Sequence, residues 1–274
     1  GSVLAVGAPY NDGTGNNAGH VRVYSYQLSF DMWMHTTNDI DGEAAYDRFG
    51  SSVSLSSDGS VLAVGAPYND GNGTDAGHVR VYSYQSGTWM QIGGDINGEA
   101  ADDVSGYSVS LSADGSVLAV GAPYNDGNGT DAGHVRVYEN QSGAWSQIGG
   151  DIDGKAAGDE FGYSVSLNSI GDMIAIGAPE NDDNGTNAGD MGVYEWDYQG
   201  STWTQKGTDV WGEAAWDEFG YSVNLSSDGS VVAGGAPEND DSYNNAGHVR
   251  VYTPDPCSQF ISMNLDQEYT GILS

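Results

Sequence analysis

The chain has 274 residues, 39 of them acidic and only 7 basic, giving a formal net charge of −32 at pH 7. Such a surface repels phosphate backbones and anionic membranes and attracts cations, which excludes nucleic-acid binding. Hydrophobic content is 38%, low for a core, yet the apolar runs are regularly spaced among 42 glycines, so the composition suits short strands and tight turns, not disorder.

Cys257 is the single cysteine, which leaves no disulfide framework and no thiolate metal cluster. No apolar run approaches the roughly 18 residues of a membrane span, so no direct membrane insertion is expected. The chain opens inside a repeat, without an initiator Met or a signal-peptide pattern, and is expected to be a processed form or a fragment.

One phrase recurs from Gly1, Gly59, Gly115, Gly171 and Gly229, at steps of 58, 56, 56 and 58 residues. A period held that closely marks copies of one supersecondary unit. The modules run 1–48, 49–104, 105–160, 161–218 and 219–268 within one domain, 1–274, with a last segment at 269–274. Module one starts at Ser2–Pro9, which matches the second strand of the others, so it lacks a first strand.

Module three serves as the template. Tyr107–Ser112 alternates polar and apolar residues, as a half-buried strand does. Asp114-Gly115 predicts a type I′ hairpin turn. Val117–Pro123 is a continuous apolar run, expected of a strand buried on both faces and ended by proline. An Asn/Asp/Gly-rich loop follows, Tyr124–Gly133, then a third strand at His134–Tyr138. Gln141-Ser-Gly143 turns the chain into a fourth, Ala144–Ile148, and an acidic loop from Asp151 to Glu160 leads to the next module.

The tail fits the same register. Phe260 falls where Trp33, Trp89, Trp145 and Trp203 fall, and Tyr269–Ser274 is similar to the first strand at Tyr221–Ser226. The expected fold is all-β: a β-propeller of five four-stranded antiparallel blades, its ring closed by the C-terminal strand, which would also remove two open sheet edges. The alternative is part of a seven-bladed propeller.

Phe49-Gly50, Phe161-Gly162 and Phe219-Gly220 open modules, and Gly-Ala-Pro follows at 7–9, 65–67, 121–123, 177–179 and 235–237. The chain resembles the FG-GAP repeat family, whose best-known members are the propeller heads of integrin α subunits. The resemblance implies a propeller that is usually extracellular, serves adhesion or ligand binding, and often holds Ca²⁺. Two departures stand out. Module three opens with Ser105-Gly106. The integrin-type calcium loop between the first two strands is replaced by tight turns such as Ala113-Asp114-Gly115, whose one carboxylate cannot supply the about six to eight oxygens of a Ca²⁺ site.

Antiparallel order places both long loop sets at one end of the strands, so one face should be carboxylate-rich. The first set spans Asp12–Asn17, Asp70–Asp75, Asp126–Asp131, Asp182–Asn187 and Asp240–Asn245, with Asn72, Asn128 and Asn184 between the ends of three of them. Recurrent oxygen ligands separated by glycine make these candidate weak Ca²⁺ loops, against the simpler reading that turns favour Asn, Asp and Gly. In the second set, Asp95, Asn97, Glu99 and Asp103 stand at relative positions 1, 3, 5 and 9, as do Asp39, Asp41, Glu43 and Asp47. Lys155 and Trp211 interrupt that pattern, so a structural role is favoured.

His20, His78, His134 and His248 occupy one place in different modules, with Asp190 in the fifth, and are read as dispersed strand-edge residues. Arg22, Arg80, Arg136 and Arg250 are expected to pair with nearby carboxylates. Asn72, Asn128, Asn140 and Asn184 lie in glycosylation sequons in expected loops or turns. Asn224 falls within a strand. There is no nucleophile elbow, no HExxH and no phosphate loop, and no break in repeat symmetry is seen near the axis.

These features lead to the expectation of an extracellular or cell-surface, non-enzymatic binding or adhesion propeller. A protein or glycan ligand would sit at the acidic face, bridged by Ca²⁺. Alternatives are a structural unit of an extracellular assembly, and a lectin or glycan-processing enzyme using the tryptophans.

Overall fold

The computed structural model describes residues 1–36, 38–240 and 245–253, with the backbone of 261–263. These residues form five antiparallel sheets and no helix. Closing segment 269–274, Phe260 and Cys257 lie outside the described residues.

Each inner module runs first, second, third and fourth strand in order across its sheet. In module three these are Ser108–Leu111, Val117–Ala122, His134–Gln141 and Ala144–Gln147. A short extra strand, Ile152–Asp153, pairs back onto the start of the third, with Val135 opposite Ile152. It lies within the stretch expected to be loop. Two-residue pairing carries no periodicity from which it could be read. In module five, Ile261–Met263 pairs with Val251–Thr253 as the fourth strand.

The type I′ turn is one hairpin later than predicted. Ser142 and Gly143 have φ of 58° and 94°, as a two-residue I′ turn requires, with Gln141 opposite Ala144. At the earlier turn only Gly115 is left-handed, at φ 71°. There the Ser112 carbonyl accepts the Gly115 amide, while Asp114 Oδ1 accepts from Ser112 Oγ, Ser116 Oγ and the Ser116 amide.

Val117–Ala122 is buried throughout because it lies between neighbouring modules. Leu62 and Val64 pack on Val21 and Val23 of module one, while Ala63 faces Val79, Val81, Leu118 and Val120. Full burial of each such side chain contributes about 1.5–3 kcal/mol. Leu4 and Val6, the module-one equivalents of Leu62 and Val64, are 43% and 45% exposed, so no sheet covers that outer face.

The FG-GAP spacing has a steric cause. A Cβ on Gly121, the glycine of Gly-Ala-Pro, would stand 2.0 Å from the Gly162 carbonyl oxygen of the next Phe-Gly. The same oxygen accepts Ser108 Oγ at 2.7 Å. Successive first strands are stitched in turn: the Leu111 amide donates to Ser54 Oγ, Leu167 to Ser110 Oγ and Leu225 to Ser166 Oγ. These strands form the inner line of the molecule.

Both long loop sets do share one face. The Phe161 amide donates to Ala132 O at 3.0 Å, Gly154 to Gly133 O at 2.8 Å, and Asn128 Nδ2 to Gly154 O at 2.7 Å.

Candidate functional site

Three sets of groups occupy that face. In the first loop set, the opening aspartate accepts the amide at the far end of its own loop. Asp12 Oδ1 accepts from Asn17, Asp70 from Asp75, Asp126 from Asp131, Asp182 from Asn187 and Asp240 from Asn245, at 2.6–2.9 Å. Asn72, Asn128 and Asn184 are exposed and use their amides on the carbonyls of Gly98, Gly154 and Gly212. In these bonds the side chains stay within their own modules and do not converge between modules. Asn140 lies inside the strand His134–Gln141, not in a turn as expected; its Oδ1 accepts the Gly143 amide.

The second set forms charged stations between modules. Arg80 bridges Asp95 of its own module, at 2.7 Å, and Glu43 of the preceding one. Arg136 likewise joins Asp151, at 2.8 Å, to Glu99, and Arg250 lies 3.4 Å from Glu213. Arg22 pairs with Asp39 at 2.9 Å. The Arg80 guanidinium holds Asp95 down at about 2. His78 and His134 are buried beside these pairs, and burial pushes both below the ordinary imidazole range.

Glu43, His78 and Asp95 bring ligand atoms within 4.8 Å of one another, as do Glu99, His134 and Asp151, and His20, Asp39 and Asp41. In the first two a guanidinium already supplies the cation. Each histidine therefore has its own carboxylates, a pairing that the dispersed-edge reading missed.

Two of the fourth-strand tryptophans, Trp145 and Trp203, serve packing. Trp145 Nε1 donates to Ile92 O and Trp203 Nε1 to Ile148 O, each at 3.2 Å and each in the preceding module.

The third set lies on the inner line and breaks the repeat. The residue before Phe-Gly, or before Ser-Gly in module three, is Arg48, Val104, Glu160 and Glu218 in turn, each left-handed with φ of 53–58°. The residue after Gly-Ala-Pro is Tyr10, Tyr68, Tyr124, Glu180 and Glu238. One half is aromatic and cationic, the other acidic. Between them Tyr107, Tyr163 and Tyr221 form a series of tilted ring contacts, with centroids 4.8 and 4.9 Å apart and planes at 48° and 49°. This corrects the expectation of unbroken symmetry. Aligning these two motif-flanking positions would have found it.

Burial, with the charges of Glu180, Asp131 and Glu218, pushes the Glu160 carboxyl up to about 7. Glu180 and Glu218 are also raised, by burial first. Asn187 Nδ2 donates to Glu180 and Asn245 Nδ2 to Glu238, which orients both carboxylates. Burial and Glu160 push Tyr124 up to about 12. The Arg48 guanidinium lies over the Tyr68 ring, 4.1 Å from its centroid, and over the Tyr10 ring at 5.3 Å.

Fold and site together define a tandem-repeat β protein of propeller type, with one asymmetric carboxylate–tyrosine cluster on its inner line. The FG-GAP repeat model matches residues 40–82, 97–138 and 153–194, and the chain belongs to the FG-GAP repeat family. No curated protein matches it.

Solved structures share the fold. A candidate 6-phosphogluconolactonase from Bacteroides uniformis is 10% identical, with TM-score 0.52 over 96% of this chain and 81% of that one. A periplasmic gluconolactonase from Pseudomonas aeruginosa is 14% identical, with TM-score 0.57 over 99% and 69%. The hydrazine synthase of Kuenenia stuttgartiensis is 12% identical, with TM-score 0.53 over 90% and 63%. At such identities the likeness is one of fold. The expectation of a non-enzymatic adhesion propeller is corrected on this point: the three proteins of similar fold are each named for an enzyme, not for adhesion.

Proposed function

We propose that the chain is a carbohydrate-processing hydrolase whose reactive groups are Glu160 and Glu218 on the inner line. The observation that carries this reading is the one-sided cluster, in which Glu160 titrates near 7 among carboxylates that stay ionised more readily. A carboxyl half-protonated at neutral pH beside a carboxylate is the acid–base pair that cleaves sugar C–O bonds.

Glu160 gives its proton to the leaving oxygen while Glu218 takes one from the attacking water. The hydroxide equivalent bonds to carbon, the C–O bond breaks, and Glu160 regains its proton through solvent. The tilted row of tyrosines offers aromatic surface to the C–H face of a sugar. This moves the aromatic platform from the tryptophans to the axis. The lactonases of similar fold are named for opening an ester bond of a sugar ring, a reaction of the same kind, which supports the reading.

Hydrolysis assays over a panel of glycosides and sugar lactones test it. Turnover by the wild type, with kcat lowered about 100-fold or more in Glu160→Gln, is expected. A wild type inert on every substrate would overturn the reading.

The same reading takes the five sheets as five blades around the inner line. Ring closure, for which the sequence puts forward 269–274, would cover the exposed face at Leu4 and Val6. Faster amide exchange over Val3–Ala8 after deletion of 269–274 is the expected sign.

A further inference from the structure

The protein has 7 basic residues against 39 acidic ones, and 6 of the 7 are paired with carboxylates: Arg22, Arg80, Arg136, Lys155, Lys206 and Arg250. Arg48 is the exception. Among the described residues its guanidinium has neither an ion pair nor a hydrogen bond. It is held instead over two tyrosine rings, Tyr68 at 4.1 Å and Tyr10 at 5.3 Å. Asp75 feels its charge without pairing to it.

In a chain so rich in carboxylates, an arginine left without one is an unfilled receptor. Stacking on aromatic faces occupies the faces of the guanidinium and fixes its plane. Its N–H edge stays available, and that edge matches a carboxylate bidentately. The receptor shares the inner line with the reactive cluster. Arg48 and Glu160 occupy the same left-handed place, directly before the Phe-Gly of their modules, and the Tyr107–Tyr163 ring contact lies on the first strands between them.

We infer that Arg48 anchors the carboxylate of a sugar acid, so that the substrate class is a uronate- or aldonate-containing carbohydrate. This rests on the hydrolase reading for the use of the site, but not for the binding itself. A monoanionic carboxylate seated at Arg48 places the neutral hydroxyls of the sugar toward the glutamates. A phosphate dianion would carry more charge into their field.

Calorimetry with trigalacturonate, its carboxyl-reduced trisaccharide and glucose 6-phosphate tests the inference, using wild type, Arg48→Gln, Arg48→Lys and Glu160→Gln. The wild type is expected to bind trigalacturonate at least about tenfold tighter than the reduced sugar, the scale of one charge-assisted bidentate contact. Arg48→Gln should abolish that preference with an unchanged melting temperature. Arg48→Lys, which keeps charge but not the fork, should retain part of it and serves as the check if Arg48→Gln melts early. Preference surviving in Arg48→Gln, or glucose 6-phosphate binding as tightly as trigalacturonate, overturns the anchor. Glu160→Gln should keep the preference. Preference without turnover on any substrate sinks the hydrolase reading alone, whereas turnover indifferent to Arg48 sinks the anchor alone.

Discussion

Lys155 Nζ lies 3.6 Å from the Asp190 carboxylate across the contact between modules three and four, with Asp209 on its other side. Elsewhere this station has the opposite polarity. Glu99 of one module meets Arg136 of the next, and Arg136 and His134 both pair with Asp151 of their own module. In module four the arginine position is Gly192 and the histidine position is Asp190, so the preceding module supplies the cation. What looks in sequence like two unrelated lapses is one compensated reversal.

Lys155→Glu should therefore destabilise the chain. It leaves a third carboxylate beside Asp190, which burial and Asp209 already push up to about 7. Lys155 is 38% exposed, so the expected loss is discounted to about 1–3 kcal/mol. Adding Asp190→His and Gly192→Arg should recover most of it. A Cβ at 192 would stand 3.0 Å from the Tyr194 ring and 3.1 Å from Asp209 Oδ1, so both side chains must shift before the new arginine can meet Asp209 as Arg136 meets Asp151. Melting temperatures of the single and triple variants decide the matter. A triple variant no more stable than Lys155→Glu would refute the compensation.

Much of this fold was legible because repeated glycine, proline and apolar runs fix strand ends locally. Val117–Ala122 and its copies stand where the apolar runs place them. The Arg136–Asp151 pair, within one module, was also within reach. The Glu99 contact was not, since it depends on how two modules abut. The same holds for the inner cluster. Arg48, Glu160 and Glu180 flank motifs that dominate the eye, and they become neighbours only when the first strands line up. Loop composition made the first loop set a candidate for Ca²⁺, but it could not show that the same aspartates also accept backbone amides of their own loops.

The glycine contact between modules predicts a position-dependent effect. In Gly121→Ala the new Cβ meets Ser108 Oγ at 2.4 Å and the Gly162 carbonyl oxygen at 2.0 Å. A hydroxyl can rotate away, but that backbone oxygen cannot move without opening the module contact. A loss of about 3 kcal/mol or more is expected. In Gly235→Ala the Cβ meets Ser222 Oγ at 2.5 Å, and among the described residues no neighbouring module's carbonyl lies beside it. That variant should lose far less in urea denaturation. Equal losses would mean that the carbonyl contact does not set the motif.

Trp145 tests whether the outer aromatic residues serve packing alone. Its Nε1–H is a donor to Ile92 O across the module contact. Trp145→Phe keeps most of the ring but removes the donor, at an expected cost of about 1 kcal/mol. Binding of trigalacturonate should be unchanged. A variant that loses sugar affinity while keeping its melting temperature would return the tryptophan to the binding site.

Glu160 links stability, pH and reactivity through one proton. Its folded carboxyl titrates near 7, above the ordinary glutamate value of 4.5, so the folded state holds the proton more tightly than the unfolded chain. This contribution to stability is full below the unfolded value, declines as pH rises through the window from 4.5 to 7, and is gone above it. Glu160→Gln removes the titration, so its melting temperature should gain on the wild type across that window and hold the gain at pH 8. The acid role sets a matching limit on rate. Turnover should fall above about pH 7, as Glu160 loses its proton. Glu160→Gln should show no such limb in its residual activity. Carboxyl NMR of the wild type supplies the direct measurement, and a Glu160 midpoint near 4.5 would remove the group from the acid role.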